Sequence, residues 1–152
     1  MMQKSDLIFS PLLPAHIDQM EQIEKECFSV PWSREALLEE LDNPCAHYVV
    51  CTDSTGNVVG YIGSRVVLDS ADITNVAVRP LYRRQGIGLQ LVTMMLGMMG
   101  RLGVTSVLLE VRESNLPAQN CYACAGFKVV GRRKNYYDLP KEDALLMGRI
   151  LE

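Results

Sequence analysis

The stretch from Ala71 to Leu102, ADITNVAVRPLYRRQGIGLQLVTMMLGMMGRL, limits the fold more than any other part of the chain. Ile73 to Val78 is β-rich and apolar, the pattern of a buried strand. Arg83-Arg84-Gln85-Gly86-Ile87-Gly88 follows, basic and glycine-bearing. From Gly86 to about Leu102 the apolar residues Leu89, Val92, Leu96 and Met99 recur at helical spacing, and Gly103 closes the helix. Strand, glycine turn and helix start together make a local design for holding phosphates. The first backbone N–H groups of a helix have no intrahelical acceptor, and the helix dipole adds positive charge there. Glycine lets an anion approach the backbone closely. A dinucleotide fingerprint would need a third glycine where Leu91 stands, and a P-loop would need G-K-[ST] at the helix start. On the residues alone, a plain strand-to-helix turn with solvated arginines remains the alternative.

The rest of the chain supplies elements around that stretch. Leu7 to Leu12 is a short strand ended by Pro14. His16 to Phe28 has the apolar spacing Ile17, Met20, Ile23 and Cys27 of an amphipathic helix. Ser33 caps a second helix, Arg34 to Leu41, which Asn43-Pro44 stops. His47 to Thr52 and Val58 to Leu68 read as a hairpin, and Asp69-Ser70-Ala71 turns the chain into the next strand. After the long helix, Val104 to Val111 is a nearly continuous apolar run, the pattern of a strand buried on both faces. A short helix, Leu116 to Cys124, starts at Asn115 and is followed by strands Phe127 to Val130 and Ala144 to Ile150. Arg132 to Asp138 reads as a polar aromatic loop. The order β-α-α-β-β-β-α-β-α-β-β predicts one α/β (α+β) domain over residues 1–152, with a mixed, mostly antiparallel sheet flanked by helices.

Composition narrows the function. Net charge is −3 with no basic block, which argues against a nucleic-acid footprint and leaves room for a local positive pocket. No apolar run reaches the roughly 18 residues of a membrane span. Asp6, Pro11 and Pro14 interrupt the N-terminal stretch, so no signal-peptide core is expected and a cytoplasmic location is the default. The five cysteines include a single C-x-x-C, Cys121 to Cys124, far from His16 and His47. Structural thiols are expected, with no metal site.

Asn75-Val76-Ala77-Val78-Arg79-Pro80 followed by Arg83-Arg84-Gln85-Gly86-Ile87-Gly88 resembles the acetyl-CoA motif of the GNAT N-acetyltransferases. Leu109-Glu110-Val111-Arg112-Glu113-Ser114-Asn115, and then Cys121-Tyr122-x-x-x-Gly126-Phe127, resemble the same family's downstream block. Phe28-x-x-Pro31-Trp32-Ser33, Arg133 to Tyr137 and Glu142-Asp143-Ala144 resemble the RimI group, the ribosomal-protein-alanine N-acetyltransferases. The similarity spans about the whole chain.

The resemblance implies a GNAT fold and an acetyl-CoA-dependent acetyltransferase acting on a protein N-terminal α-amine, with a small-subunit ribosomal protein as partner. Backbone groups of Val76, Ala77 and Val78 would pair with the pantetheine arm. Arg83, Arg84, Gln85, Gly86, Ile87, Gly88 and Leu89 would form the cofactor cradle, and Asn115 would contact the cofactor. Glu110 would be the general base and Tyr122 the general acid toward the CoA thiolate. Trp32, Tyr136 and Tyr137 would wall the acceptor entrance. Each has an ordinary alternative: Glu110 as an ion-pair partner of Arg112, Tyr122 as a core tyrosine, and the three aromatics as amphipathic packing. Two rival functions stand: a GNAT acting on a lysine side chain or a small amine, and an acyl-CoA-binding module without turnover.

Overall fold

The computed structural model describes residues 6–152. Residues 1–5, part of the N-terminal stretch considered above, lie outside it. The described chain forms a seven-stranded sheet in the order β1-β2-β3-β4-β5-β7-β6. Its strands are β1 (Ile8–Ser10), β2 (Ala46–Thr52), β3 (Val58–Val67), β4 (Ser70–Val78), β5 (Ser106–Arg112), β6 (Lys128–Asp138) and β7 (Lys141–Ile150). The helices are α1 (Ile17–Cys27), α2 (Arg34–Asp42), α3 (Ile87–Arg101) and α4 (Leu116–Cys124). All neighbouring strands are antiparallel except β4 and β5. The expected class and element order are therefore observed.

The helices form where local chemistry favours them. Ser33 caps α2, its hydroxyl accepting from the Ala36 N–H at 3.1 Å. Asn115 caps α4 in the same way, accepting from Ala118 N–H at 3.2 Å. The sheet separates two apolar clusters. One joins α3 and α4 to the sheet through Leu91, Met95, Met99, Ile62, Val107 and Leu109. The other seats Ile17, Met20, Ile23 and Leu37 of α1 and α2 against Val50 and Tyr61. Both clusters share β3, whose first seven residues are buried, as expected for a strand covered on both faces.

The irregular pairing of β4 prepares the site. Gly63 pairs with Asn75 but Ser64 pairs with Ile73, so Thr74 is an extra residue on β4. A bulge flips the side-chain alternation and bends the strand. Before it, Ala71 and Ile73 join the α3 cluster; after it, Ala77 joins the α1–α2 cluster. The parallel pairing with β5 covers only Ser70 to Asp72 against Ser106 to Leu108. Beyond that, β4 and β5 part, each leaving an unpaired edge on the gap.

Three expectations need correction. Arg132 to Asp138 is not a loop: it is the second half of β6, paired with β7. The residues Lys134, Asn135 and Tyr136 bulge out opposite Asp143, whose carboxylate accepts from Asn135 N–H at 2.9 Å and from Arg132 at 3.2 Å. Charged residues suit an exposed edge strand, so low β-propensity did not prevent pairing. β5 is covered fully on one face only: Val107, Leu109 and Val111 are buried, while Leu108, Glu110 and Arg112 alternate with them half-exposed. Ser70 and Ala71 begin β4 rather than forming the preceding turn.

Candidate active site

The gap between β4 and β5 has a backbone wall and a side-chain wall. The backbone wall starts on β4. Arg79 N–H donates to Val59 O at 2.9 Å, so by antiparallel alternation Ala77 directs its N–H and C=O toward β3. Val76 and Val78 direct theirs into the gap. This removes Ala77 from the backbone groups expected to pair with a bound arm. The Val78 carbonyl is already engaged, accepting from Arg83 Nε at 3.0 Å and from the Cys27 thiol at 3.7 Å. The second nitrogen of the same guanidinium reaches Cys27 Sγ at 3.3 Å. Burial raises the Cys27 thiol above its usual range, and Arg83 only partly offsets this.

The turn after β4 ends in a concave row of N–H groups. Arg84 (φ 64°) and Gly86 (φ 80°) both adopt the left-handed conformation and bracket Gln85. Glycine holds that conformation at little cost, whereas arginine does so only where the surroundings demand it. Gly86 is the N-cap of α3 without a side-chain cap, and the first turn carries no acidic residue. The Gln90 N–H is the first to find a helical acceptor, Gly86 O at 3.0 Å, which leaves those of Ile87, Gly88 and Leu89 directed outward. A Cβ on Gly88 would make only ordinary contacts with Cys121 Sγ at 3.7 Å and Val78 at 4.0 Å, so protein packing does not require glycine there. An open groove of about 400 Å³ continues from Gly86 along Leu89, Gln90, Thr93 and Met94. Unpaired N–H groups, the dipole of a 15-residue helix and the absence of local carboxylates fit an extended phosphate-bearing ligand such as acetyl-CoA.

The side-chain wall is assembled from distant segments. Glu110 is half-buried on the open face of β5 and accepts from Arg133 Nε at 3.2 Å. Its ionic partner is thus Arg133 of β6, not Arg112. Tyr122 is 8% exposed, its ring against Phe127 with centroids 6.1 Å apart. Among the described residues no acceptor engages its hydroxyl. Burial, and then the neighbouring Cys121 and Tyr137, hold its phenol well above the usual range, so it stays protonated at neutral pH. Tyr137 is pushed up to about 12, chiefly by burial, with Glu110 among the neighbouring charges that raise it. Tyr137 therefore stands within electrostatic reach of both Glu110 and Tyr122.

Residues 17–127 match the acetyltransferase (GNAT) family model. The chain belongs to the GNAT family. Among its relatives, a Bacillus subtilis protein is 41% identical over 86% of this chain and 87% of its own; its name provisionally gives it ribosomal protein bS18-alanine N-acetyltransferase activity. The ribosomal protein bS18-alanine N-acetyltransferase of Haemophilus ducreyi is 33% identical over 88% of this chain and 93% of its own. The crystal structure of the Escherichia coli ribosomal-protein-S18-alanine N-acetyltransferase superposes with a TM-score of 0.88 at 30% identity, covering 96% of this chain and 94% of that one. The chain is thus an N-acetyltransferase of the RimI group.

In this GNAT enzyme, the expected entrance aromatics come from two pieces of chain, the α1–α2 link and β6. Tyr136 and Tyr137 pack edge to face, centroids 5.1 Å apart. Trp32 is half-buried on the α1–α2 cluster with the Arg65 guanidinium 5.9 Å over its ring. Its backbone N–H donates to Glu24 at 2.8 Å, and Tyr61 O–H donates to the other oxygen of that carboxylate. Glu24 is 1% exposed, and burial raises its carboxyl above the usual range. It ties the link between α1 and α2 to the helix before it. Of the cysteine pair, Cys121 is half-buried beside Gly88, while Cys124 is exposed.

The sequence reading gave no role to Arg112, Arg133, Glu142, Ser29 or Glu24. Arg112, Arg133 and Glu142 lie inside the motifs that carry the resemblance, and Arg112 follows Glu110 by two residues on one strand, which by alternation gives them one face. The other two give no local signal. Among the described residues, no cluster of His, Cys, Asp and Glu could hold a metal ion, and no helix is long and apolar enough to cross a membrane.

Proposed function

We propose that this acetyltransferase transfers the acetyl group of acetyl-CoA to the α-amine of a protein N-terminus, the N-terminal alanine of a small-subunit ribosomal protein of the bS18 kind. The observation that carries the chemistry is the parting of β4 from β5 after the Asp72–Leu108 pair. The gap opens beside the outward N–H groups of α3; Glu110 lies on β5 beyond the last pair, and Tyr122 lies on α4, whose Cys121 stands beside Gly88. The relatives' names support the acceptor.

In this reading the N–H groups from Arg84 to Leu89 hold the pyrophosphate, and Val76 and Val78 pair with the pantetheine arm. Arg83 must release the Val78 carbonyl for full pairing. Asn115, its side-chain oxygen committed to the cap, has its amide N–H₂ left for the cofactor. Acetyl-CoA supplies an acyl carbon already activated as a thioester. An α-ammonium titrates near 7.7–8.0, so Glu110 needs to remove one proton to deliver the nucleophile. The amine nitrogen then bonds to the acyl carbon. As the C–S bond breaks, Tyr122 donates its proton to the departing sulfur, and the second amine proton leaves to solvent.

The direct test is CoA release from a panel of short peptides differing in their N-termini, with an N-blocked lysine peptide included. Turnover restricted to free N-terminal alanine supports the proposal. Turnover of the lysine peptide shifts the acceptor to a side chain. Acetyl-CoA binding without turnover of any amine leaves an acyl-CoA-binding module.

A further inference from the structure

We infer that Arg112 is a positioning residue that sets the acceptor cleft by tying together its two walls, the α1–α2 link and the β6–β7 turn; this rests on the acetyl transfer to an amine proposed above. Arg112 ends β5, two residues beyond Glu110 and on the same face. One terminal nitrogen donates to Pro140 O at 2.9 Å and to Glu142 Oε1 at 3.1 Å. The other donates to Leu139 O at 3.1 Å and to Ser29 Oγ at 3.3 Å. The guanidinium plane lies 4.2 Å from the Tyr137 ring centroid.

These contacts reach two separate pieces of chain, the link between α1 and α2 and the β6–β7 hairpin. Ser29 belongs to the link between α1 and α2. Leu139 and Pro140 form the turn between β6 and β7. Tyr137 stands within electrostatic reach of Glu110 and Tyr122. Among the described residues, the Arg112–Ser29 bond is the only hydrogen bond from the α1–α2 link to the β5–β7 half of the sheet. One guanidinium therefore sets how far apart the two walls stand.

Only arginine suits this place. Its planar fork offers five donors in fixed directions and stacks on an aromatic face. A lysine would keep the charge opposite Glu142 but has a single nitrogen, which cannot span both walls. Glu142 also accepts from Ser114 N–H at 2.9 Å and from Ser114 O–H at 3.0 Å, so retaining its positive partner spares the start of α4 and the cofactor side. Arg112→Lys thus separates the strap from the charge.

The experiment measures acceptor KM, kcat and acetyl-CoA affinity for wild type, Arg112→Lys, Ser29→Ala and the double variant, using whichever amine the wild type acetylates. Arg112→Lys should raise acceptor KM about tenfold, with acetyl-CoA affinity within about twofold of wild type. Ser29→Ala removes only the bond to one wall and should raise acceptor KM by about threefold. The double variant should equal Arg112→Lys alone, because both substitutions cut the same link. Unchanged acceptor KM in both single variants would overturn the inference. So would an equal loss of acetyl-CoA affinity, which marks a general structural role. If Arg112→Lys does not fold, Ser29→Ala still decides. If the wild type prefers lysine or a small amine, the proposed acceptor fails while this test proceeds on that amine; if it acetylates nothing, both fail.

Discussion

The two sides of the cleft are built in opposite ways. The cofactor side, β4 to α3, relies on backbone: outward N–H groups at the start of α3 and two left-handed residues, Arg84 and Gly86. It comes from one contiguous stretch. The acceptor side relies on side chains from segments more than 80 residues apart, since Arg112 reaches both Ser29 and Glu142. A backbone site asks little of residue identity beyond glycine at the left-handed position. A side-chain site asks that several unrelated positions converge, and one substitution can disconnect it.

The largest expected effects fall on the acceptor side. Glu110→Gln and Tyr122→Phe should each lower kcat by about 10²–10⁴, while calorimetry shows acetyl-CoA affinity retained. The Glu110→Gln deficit should shrink above about pH 8, where the amine is already neutral. Wild-type kcat in either variant would remove that residue from the chemistry. Next comes the cofactor side. Gly86→Glu adds a Cβ at φ 80° and a carboxylate among the N–H groups. Acetyl-CoA affinity should fall by about a hundredfold. Intact affinity would mean that the backbone does not hold the anion, and the contrast between the two sides would collapse.

A third effect is smaller and depends on pH. Hydrogen bonds from Asn135 N–H and Arg132 hold the Asp143 carboxyl below its usual range. A depressed folded pKa gives stability that is present above the unfolded value near 3.9 and is lost as pH falls through the folded value. Melting temperature should therefore drop more steeply below about pH 4 in wild type than in Asp143→Asn. Parallel curves would show that the β6 bulge draws nothing from this charge. The smallest effect lies outside both sides. Ser33→Ala removes the α2 cap and should cost about 1 kcal/mol in denaturant unfolding, leaving both substrates' affinities in place.

The chain shows how far local reading extends. The β4–turn–α3 stretch was legible because strand, left-handed turn and helix start are each set by neighbours within a few residues. The caps at Ser33 and Asn115 were legible for the same reason. The stretch from Arg132 to Asp138 was not, because strand formation there depends on a partner across the ladder. Arg132 to Asp138 reads as polar loop until β7 supplies hydrogen bonds and Asp143 anchors the bulge. The partner of Glu110 was not legible either, Arg112 having been one ordinary alternative. Arg112 is nearer in sequence, but strand pairing sends Arg133 to it and takes Arg112 to the two walls.

The sequence by itself therefore determined the α/β class, the element order and the glycine-led start of α3. Short-range backbone preferences and glycine's conformational freedom suffice for those. Tertiary structure alone decided where β4 leaves β5, how the bulge at Thr74 turns its side chains, and which residues Arg112 joins. Those depend on ladder register and on residues far apart along the chain, which meet only once the sheet has formed.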